Sequence, residues 1–421
     1  MLPNPRKSPR RLKILILSHY YPPEMGGAAA RIHGLARWLA SYGHPVRVIT
    51  GLPNYPTGKV PGRYRRTCRL RETLDGVEVI RTWVYPSSHR SSLGRLANYS
   101  SFVISSVMTA TRLKGEYDVL LASSPPLMIG VPARLISRKF RIPLVFDVRD
   151  IWPDVAVEAG AFKPGNLMIR LGRRLARYLY RISDHITPVT DLKRRKIIAE
   201  GAAENKVTVV PNGVDFDRLN RSGAPDWREK LNLADRFVVI YTGLIGIAQG
   251  VGILIEAARE LGDDRRIHFL IVGDGVEKKH LIRKSSSLNL TNVTFVPSQP
   301  REAIPSLLAS ADLAVVPLVS RDLVDAVPSK LMEAWACGKP VVAVAVGEAA
   351  ELVEAAGGGV TVPPGKPAEL ARVVTDLSKD RDKLEQFADS GGTYTRSHFD
   401  RKNLARTMEG VLAKVVRGEA R

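Results

Sequence analysis

The stretch Asp325-Ala-Val-Pro-Ser-Lys-Leu-Met-Glu333, continuing Ala-Trp-Ala-Cys-Gly-Lys-Pro-Val-Val-Ala-Val, concentrates charge at what reads as the start of a helix. Pro328 and Ser329 open that helix, with Ser329 of the type that caps free backbone N–H groups. Gly338 ends it, and Pro340 bars any continuation before a strand expected at Val341–Val346. Lys330 then lies in the first turn, where unpaired N–H groups and the helix dipole favour a phosphate. Glu333, about one turn on, can accept hydrogen bonds from both hydroxyls of a ribose. Charge for a pyrophosphate and an acceptor for a ribose on one helix end describe a nucleotide-sugar site. The same residues also fit an ordinary capped helix with solvated charges.

The elements that must position these groups read as alternating strands and helices. Leu12–Ser18 is expected as a buried parallel strand, Ala28–Tyr42 as a helix and Val46–Thr50 as the next strand, which makes a βαβ unit. The intervening loop His19-Tyr-Tyr-Pro-Pro-Glu-Met-Gly-Gly27 runs straight into the helix, so Gly26 and Gly27 let backbone approach an anion. Pro143–Val148 is a further strand, ending in Arg149-Asp-Ile-Trp-Pro-Asp154. Residues past the C-terminal end of a parallel strand face the ligand crevice, which makes Arg149, Asp150, Trp152 and Asp154 candidates. In the second half, Phe237–Tyr241 leads through Thr242–Gly250, with Gly246 and Gln249, into a helix at Val251–Leu261. Strands at Ile267–Val272, Val293–Val296 and Leu313–Val316 continue the pattern. Asp215 and Asp217 form a superficial D-x-D, but they belong to a Pro-Asn-Gly-Val-Asp turn with no other ligand cluster, so no metal site is assigned.

The acid, seven residues and Glu of Asp325–Glu333, leading into Glu-Ala-x-Ala-x-Gly-x-Pro-Val, resemble the E-x7-E signature of retaining glycosyltransferases of family 4. Asp325 stands where that signature has Glu, one methylene shorter. The Gly26–Gly27 loop, the Pro-Asn-Gly-Val-Asp turn and the Thr242–Gly250 loop resemble further family motifs, although Leu244 and Gln249 stand where many members have Arg and Lys. Pro297 stands where a Gly is common. The run Arg-Asp-x-Trp-Pro-Asp resembles a bacterial branch that adds deoxyamino sugars, such as L-fucosamine, to surface polysaccharides. The resemblance implies the α/β GT-B fold, two Rossmann-like domains facing across a cleft. It also implies sugar transfer with retention from a nucleotide diphosphate donor, UDP first, to a lipid-linked or oligosaccharide acceptor, with no metal or other cofactor. By the same resemblance Glu333 binds ribose, and Ser329, Lys330, Gly246, Gln249 and Gly26–Gly27 hold the diphosphate. Backbone near Val296 meets the base, Asp325 addresses the donor sugar or phosphate, and Asp150, with Arg149 and Trp152, addresses the acceptor. The expected organisation is a basic tail at 1–12, an acceptor domain at 13–218, a linker at 219–230, a donor domain at 231–395 and a C-terminal helix at 396–421 crossing back to the first domain.

At 421 residues the chain can bury two full cores. Its two cysteines, Cys68 and Cys337, make no disulfide framework and fit a reducing cytoplasm. Charge is uneven: residues 1–215 hold 35 Lys or Arg against 15 Asp or Glu, while the remainder is nearly balanced. A basic half faces nucleic acid, an anionic membrane or an anionic acceptor. With no zinc spacing or RNP-like motif, nucleic acid is the poorest fit and a peripheral position on the inner face of a membrane the best. Two helices bear on this. In Ser91–Leu113, Leu93, Leu96, Val103, Val107 and Met108 share a face, and Arg95 and Arg112 bracket sixteen residues. That is about 24 Å of helix, short of a bilayer core of about 30 Å, which leaves packing on the sheet or dipping into an interface. In Leu167–Arg181, Leu167, Leu171, Leu175 and Tyr178 lie beside Arg170, Arg174, Arg177 and Arg181, a face for anionic lipid. A nucleotide-sugar epimerase on the same fold and a binding protein without turnover are the competing readings.

Overall fold

Alternate residues along each strand point to opposite faces, and here both sets are apolar, so each sheet must be covered on both sides. The computed structural model describes residues 11–24, 26–55, 57–87, 92–158, 163, 165–219, 226–262 and 266–419; most of the expected basic tail and linker lies outside them. The chain forms two units, one of 1–153, 167–210 and 402–421, the other of 154–166 and 211–401. Residues 211–218, expected with the first domain, thus group with the second.

The first unit holds strands β1 (Ile14–Ser18), β2 (Val46–Gly51), β3 (Arg69–Leu74), β4 (Val77–Thr82), β5 (Val119–Ser124), β6 (Leu144–Val148) and β7 (His185–Pro188), in the order β3-β4-β2-β1-β5-β6-β7. All neighbours are parallel except β3, which pairs antiparallel with β4. On one face Leu15, Leu17, Leu120 and Phe146 pack under helices Ser92–Thr111, Gly130–Phe140 and Leu167–Ile182. On the other, Ile14, Ile16, Val48 and Val145 pack under helices Gly27–Ser41 and Arg401–Val416. The last of these buries Leu404, Met408 and Leu412 there. Tyr42 Oη donates to the Lys402 carbonyl at 2.7 Å, and His44 Nε2 lies 2.8 Å from Glu409 Oε1.

The second unit holds β8 (Phe237–Thr242), β9 (Ile267–Val272), β10 (Val293–Val296), β11 (Leu313–Pro317), β12 (Val341–Val344) and β13 (Gly359–Val362), all parallel, in the order β10-β9-β8-β11-β12-β13. Setting aside the antiparallel β3, both sheets run outward from their first strand in the same doubly wound order. The reversal falls at β1/β5 in one and at β8/β11 in the other, the positions where such sheets bind ligands. Strand β3 lies at the edge of its sheet, where its interleaved arginines and Thr73 suit exposure.

Candidate functional site

At the β8/β11 reversal, helix Ser329–Ala336 begins with Pro328 in the capping position, and no side chain caps it. This corrects the expectation for Ser329, which is the first helical residue. The far end closes as expected on Gly338. Its N–H donates to Trp335 O at 2.9 Å and that of Lys339 to Ala334 O at 3.0 Å, a pairing that uses the last free carbonyls. Trp335 is fully buried, donates from Nε1 to Gly358 O at 2.7 Å and fixes the helix against the unit core.

Lys330 leans from this helix across the end of β8. Its Nζ is 5.5 Å from the Tyr241 ring centroid, within cation–π range. A Cβ on Gly243 would fall 2.3 Å from Lys330 Cε, so only glycine leaves the lysine that path. Burial pulls the Lys330 ammonium below its ordinary pKa, and neighbouring Glu333 opposes the shift. A desolvated cation of this kind gains most from an anionic ligand. Glu333 keeps its side chain 31 % exposed, with Arg301 4.0 Å from Oε1. Behind Lys330, Tyr241 Oη donates to Leu244 O at 2.5 Å, and burial pushes its phenol pKa up.

The loops around this point are layered backbone to backbone. Gly273 (φ 153°) passes so close to Gly243 that a Cβ would lie 1.8 Å from the Gly243 carbonyl oxygen. Lys278 ties the next layer: its Nζ donates to Gly273 O at 2.7 Å and Asp274 Oδ1 at 2.9 Å. The Val296 carbonyl accepts from Gly273 N–H at 3.0 Å, while Ser298 N–H donates to Asp274 Oδ2 at 2.7 Å. Val296 is therefore held with its carbonyl already engaged. Gly246 is buried, and the Gln249 side-chain oxygen lies against it, 2.6 Å from where a Cβ would stand. Asp325 is only 2 % exposed, in a loop closed where Glu348 N–H donates to Val324 O at 2.8 Å. The structure thus gathers Lys330, Glu333 and Gly243 at one strand end, and encloses Asp325 rather than presenting it. Sequence reasoning missed Lys278, which joins its own loop to the Val296 carbonyl at 3.4 Å, and Arg301, which approaches Glu333 from another loop.

In the first unit, Gly26 precedes helix Gly27–Ser41 with nothing within 4 Å of a Cβ on either Gly26 or Gly27, an open helix entrance. Glu24 anchors the loop before it, accepting from the N–H groups of Asn54 and Tyr55 at 2.9 and 3.0 Å. Burial nevertheless raises its carboxyl pKa to about 7. Arg149 donates from its backbone N–H to Ser124 O at 3.1 Å, and its guanidinium lies 4.0 Å from the half-exposed Asp150 carboxylate. Burial lowers the Arg149 pKa. Trp152 packs its ring on Gly172, where a Cβ would meet Cζ3 at 2.3 Å, and stays partly exposed. Asp147, wholly buried in β6, accepts from Arg31 at 2.7 and 3.2 Å, from Ser123 Oγ at 2.8 Å and from Thr187 Oγ1 at 3.1 Å. A carboxylate inside an apolar strand was the signal for this missed network. Asp215 pairs with Arg401 at 2.7 Å, and among the described residues no group of three or more His, Cys, Asp or Glu is placed to hold a metal ion.

Known proteins agree with this architecture. Residues 224–392 match the family model of glycosyl transferases group 1, and residues 26–213 that of the glycosyl transferase 4-like domain. WcaI of Escherichia coli K12, assigned by name as a colanic acid biosynthesis glycosyl transferase, is 31% identical over 337 residues, covering 78% of this chain and 82% of WcaI. A probable-function relative by name, the glycosyltransferase WbjE of Pseudomonas aeruginosa, is 26% identical over 70% of this chain and 74% of its own. Among solved structures, HepE of Anabaena in complex with UDP and glucose matches with a TM-score of 0.72 at 24% identity, over 96% of this chain and all of HepE. Sucrose-phosphate synthase of Thermosynechococcus elongatus gives 0.77 at 19% identity, over 97% of this chain and all of its own. With two doubly wound domains, each matched by its own family model, the chain belongs to the family 4 glycosyltransferases of GT-B fold.

Proposed function

We propose that this glycosyltransferase moves a hexose-type sugar from a UDP-sugar, with retention and without a metal, to a lipid-linked or oligosaccharide acceptor in surface polysaccharide synthesis. The observation that carries the donor assignment is the partly desolvated Lys330 over Tyr241, with Glu333 one turn along the same helix. As the bond from the anomeric carbon to the diphosphate breaks, negative charge grows on phosphate oxygen. A cation in a dry site stabilises it more there than in the ground state. The leaving phosphate oxygen takes the proton of the attacking acceptor hydroxyl on the same face, so configuration is kept. Glu333 binds the ribose hydroxyls, Ser329 and the turn of Gly246 and Gln249 serve the diphosphate, and Asp325 shapes the loop on the donor-sugar side. In the first unit Asp150, positioned beside Arg149, orients the acceptor, and the Gly26–Gly27 entrance serves an anion. Support for UDP is the HepE complexes with UDP and UDP-glucose. Support for a deoxyamino sugar is the Arg149–Asp154 run with Gln249 in place of a basic residue.

Calorimetric titration with UDP and GDP, using Glu333→Ala as control, tests the carrier. UDP binding that weakens 10- to 1000-fold in the mutant, equivalent to about 1.4–4 kcal/mol, supports the reading. GDP binding in its place, or equal UDP binding by the folded mutant, removes it.

A further inference from the structure

Helix Ser92–Thr111 is inside out. Its buried side carries Asn98, Ser106 and Thr109 along with Phe102, while Leu93 (81 % exposed), Leu96, Ile104 (62 %) and Met108 face outward. The orientation is fixed by hydrogen bonds: Asn98 Nδ2 donates to Tyr85 O at 2.6 Å, Asn98 Oδ1 lies 2.8 Å from His19 Nε2, and the hydroxyls of Thr109 and Thr82 are 3.0 Å apart. A helix that turns its polar side in and its leucines out has a second apolar phase to meet.

The two neighbouring helices of the same layer bury mainly apolar and small residues, yet they too expose large apolar side chains. Gly130–Phe140 packs beside the first and exposes Val131 and Leu135, one turn apart. It touches Leu167–Ile182 through Gly130 and Leu179, and that helix exposes Leu167 (66 %), Met168, Leu171 and Tyr178. Of the expected apolar face, Leu167, Leu171 and Tyr178 lie outward and only Leu175 packs on the core; Ile169, Gly172, Ala176, Leu179 and Tyr180 are what the helix buries. Around these apolar positions stand exposed Arg112, Arg138, Arg141, Arg170, Arg174 and Arg181, and the three helices contain no Asp or Glu.

We propose that this three-helix layer of the first unit is a docking surface for an anionic lipid bilayer, lying flat with its apolar side chains in the headgroup boundary and its arginines on lipid phosphates. The inference deepens the reading of a lipid-linked acceptor and rests on it for its purpose, though not for its binding. Charge selects the occupant. A second copy set face to face would bring two wholly cationic surfaces together, whereas anionic lipid complements them, each basic residue near the surface adding about fivefold in affinity. Arginine stems lie along apolar surface while their heads reach phosphate. No described helix is long and apolar enough to cross a membrane, so contact is from one side.

The test is co-sedimentation of the full chain with vesicles of phosphatidylcholine alone or with 30% phosphatidylglycerol (roughly the anionic share that gives a strong surface potential). Two variants accompany it: Arg170→Gln/Arg174→Gln/Arg181→Gln and Leu93→Ser/Ile104→Ser. Arg177, bonded to Glu200, is left in place. Expected are binding to the anionic vesicles only, loss of at least tenfold in each variant, and weakening with salt in the wild type. UDP affinity measured on the same samples should not change. Wild-type protein that ignores anionic vesicles, or variants that bind like wild type, overturn the proposal. A concentration-dependent dimer abolished by Ile104→Ser overturns it in favour of a self-interface. Failure of UDP binding with vesicle binding intact sinks the UDP reading and leaves the docking surface standing.

Discussion

Lys330 is a buried charge whose proposed use can be separated from its effect on stability. Because its ammonium is desolvated in the folded protein, removing the charge should not cost stability, while it should cost ligand. Lys330→Met is expected to melt at or above the wild-type temperature and to bind UDP at least tenfold more weakly; a mutant that melts lower and binds equally well would make Lys330 a structural residue. Two histidines give a different readout. His185 and His268 are buried neutral, with pKa values lowered to about 4 chiefly by desolvation, and each has Nε2 within 2.9 Å of a threonine hydroxyl. Their unfolded pKa is about 6.5. Between 6.5 and 4 the unfolded chain therefore binds protons that the fold refuses, so their contribution is complete above pH 6.5 and lost on acidification towards 4. The loss is on the order of 2–3 kcal/mol for each. Urea unfolding across that range should show His185→Gln and His268→Gln flattening the slope; unchanged slopes would mean that other groups set it. At this scale the sequence was legible where chemistry is local. Helix spacing alone sets Lys330 and Glu333 on one helix end. Asp147 with Arg31, or Lys278 with Val296, depend on which loops the topology brings together, and spacing carries none of that.

Elements were legible by periodicity but not always by direction. The helix at 27–41 falls within a residue of the expected 28–42, and that at 401–416 lies inside the expected 396–421, because one apolar stripe meets one sheet. In Ser92–Thr111 and Leu167–Ile182 the stripe was legible and what it meets was not, since hydrophobic spacing does not say whether an apolar face enters the core or stays at the surface. The three short strands β3, β7 and β13 were missed as strands because each is brief or at an edge, where Gly and charged residues blur alternation. Helix Arg401–Val416 carries the element-scale prediction. Met408 is fully buried beneath the first sheet, and Met408→Ala should cost about 2–5 kcal/mol. Hydrogen exchange resolved along the chain should then rise in β1 and β2 and stay unchanged in β8 and β9. Equal loosening of both sheets, or of neither, would contradict the assignment of this helix to the first core.

At the scale of the whole molecule, the fold was legible as repetition: two alternations of strand and helix, each with a glycine loop after its first strand. The exact unit border was not, because Pro211–Asp215 reads as a turn whichever side it joins, and only the pairing of Val214 with Phe399 and of Asp215 with Arg401 places it in the second unit. The charge imbalance was also plain, and the arrangement concentrates much of it on a single helical layer. The return of helix Arg401–Val416 to the first sheet has a consequence for how the chain is made. Translation at about 5–20 residues per second normally lets an N-terminal domain close before the next emerges. Here the face of Ile14, Ile16 and Val48 has only helix Gly27–Ser41 over it, and lacks the rest of its cover until residue 416 has left the ribosome, after the entire second unit has been synthesised. For some tens of seconds each nascent chain shows a half-covered apolar sheet to chaperones, and a ribosome that stops early releases a product whose oldest part is still unfinished.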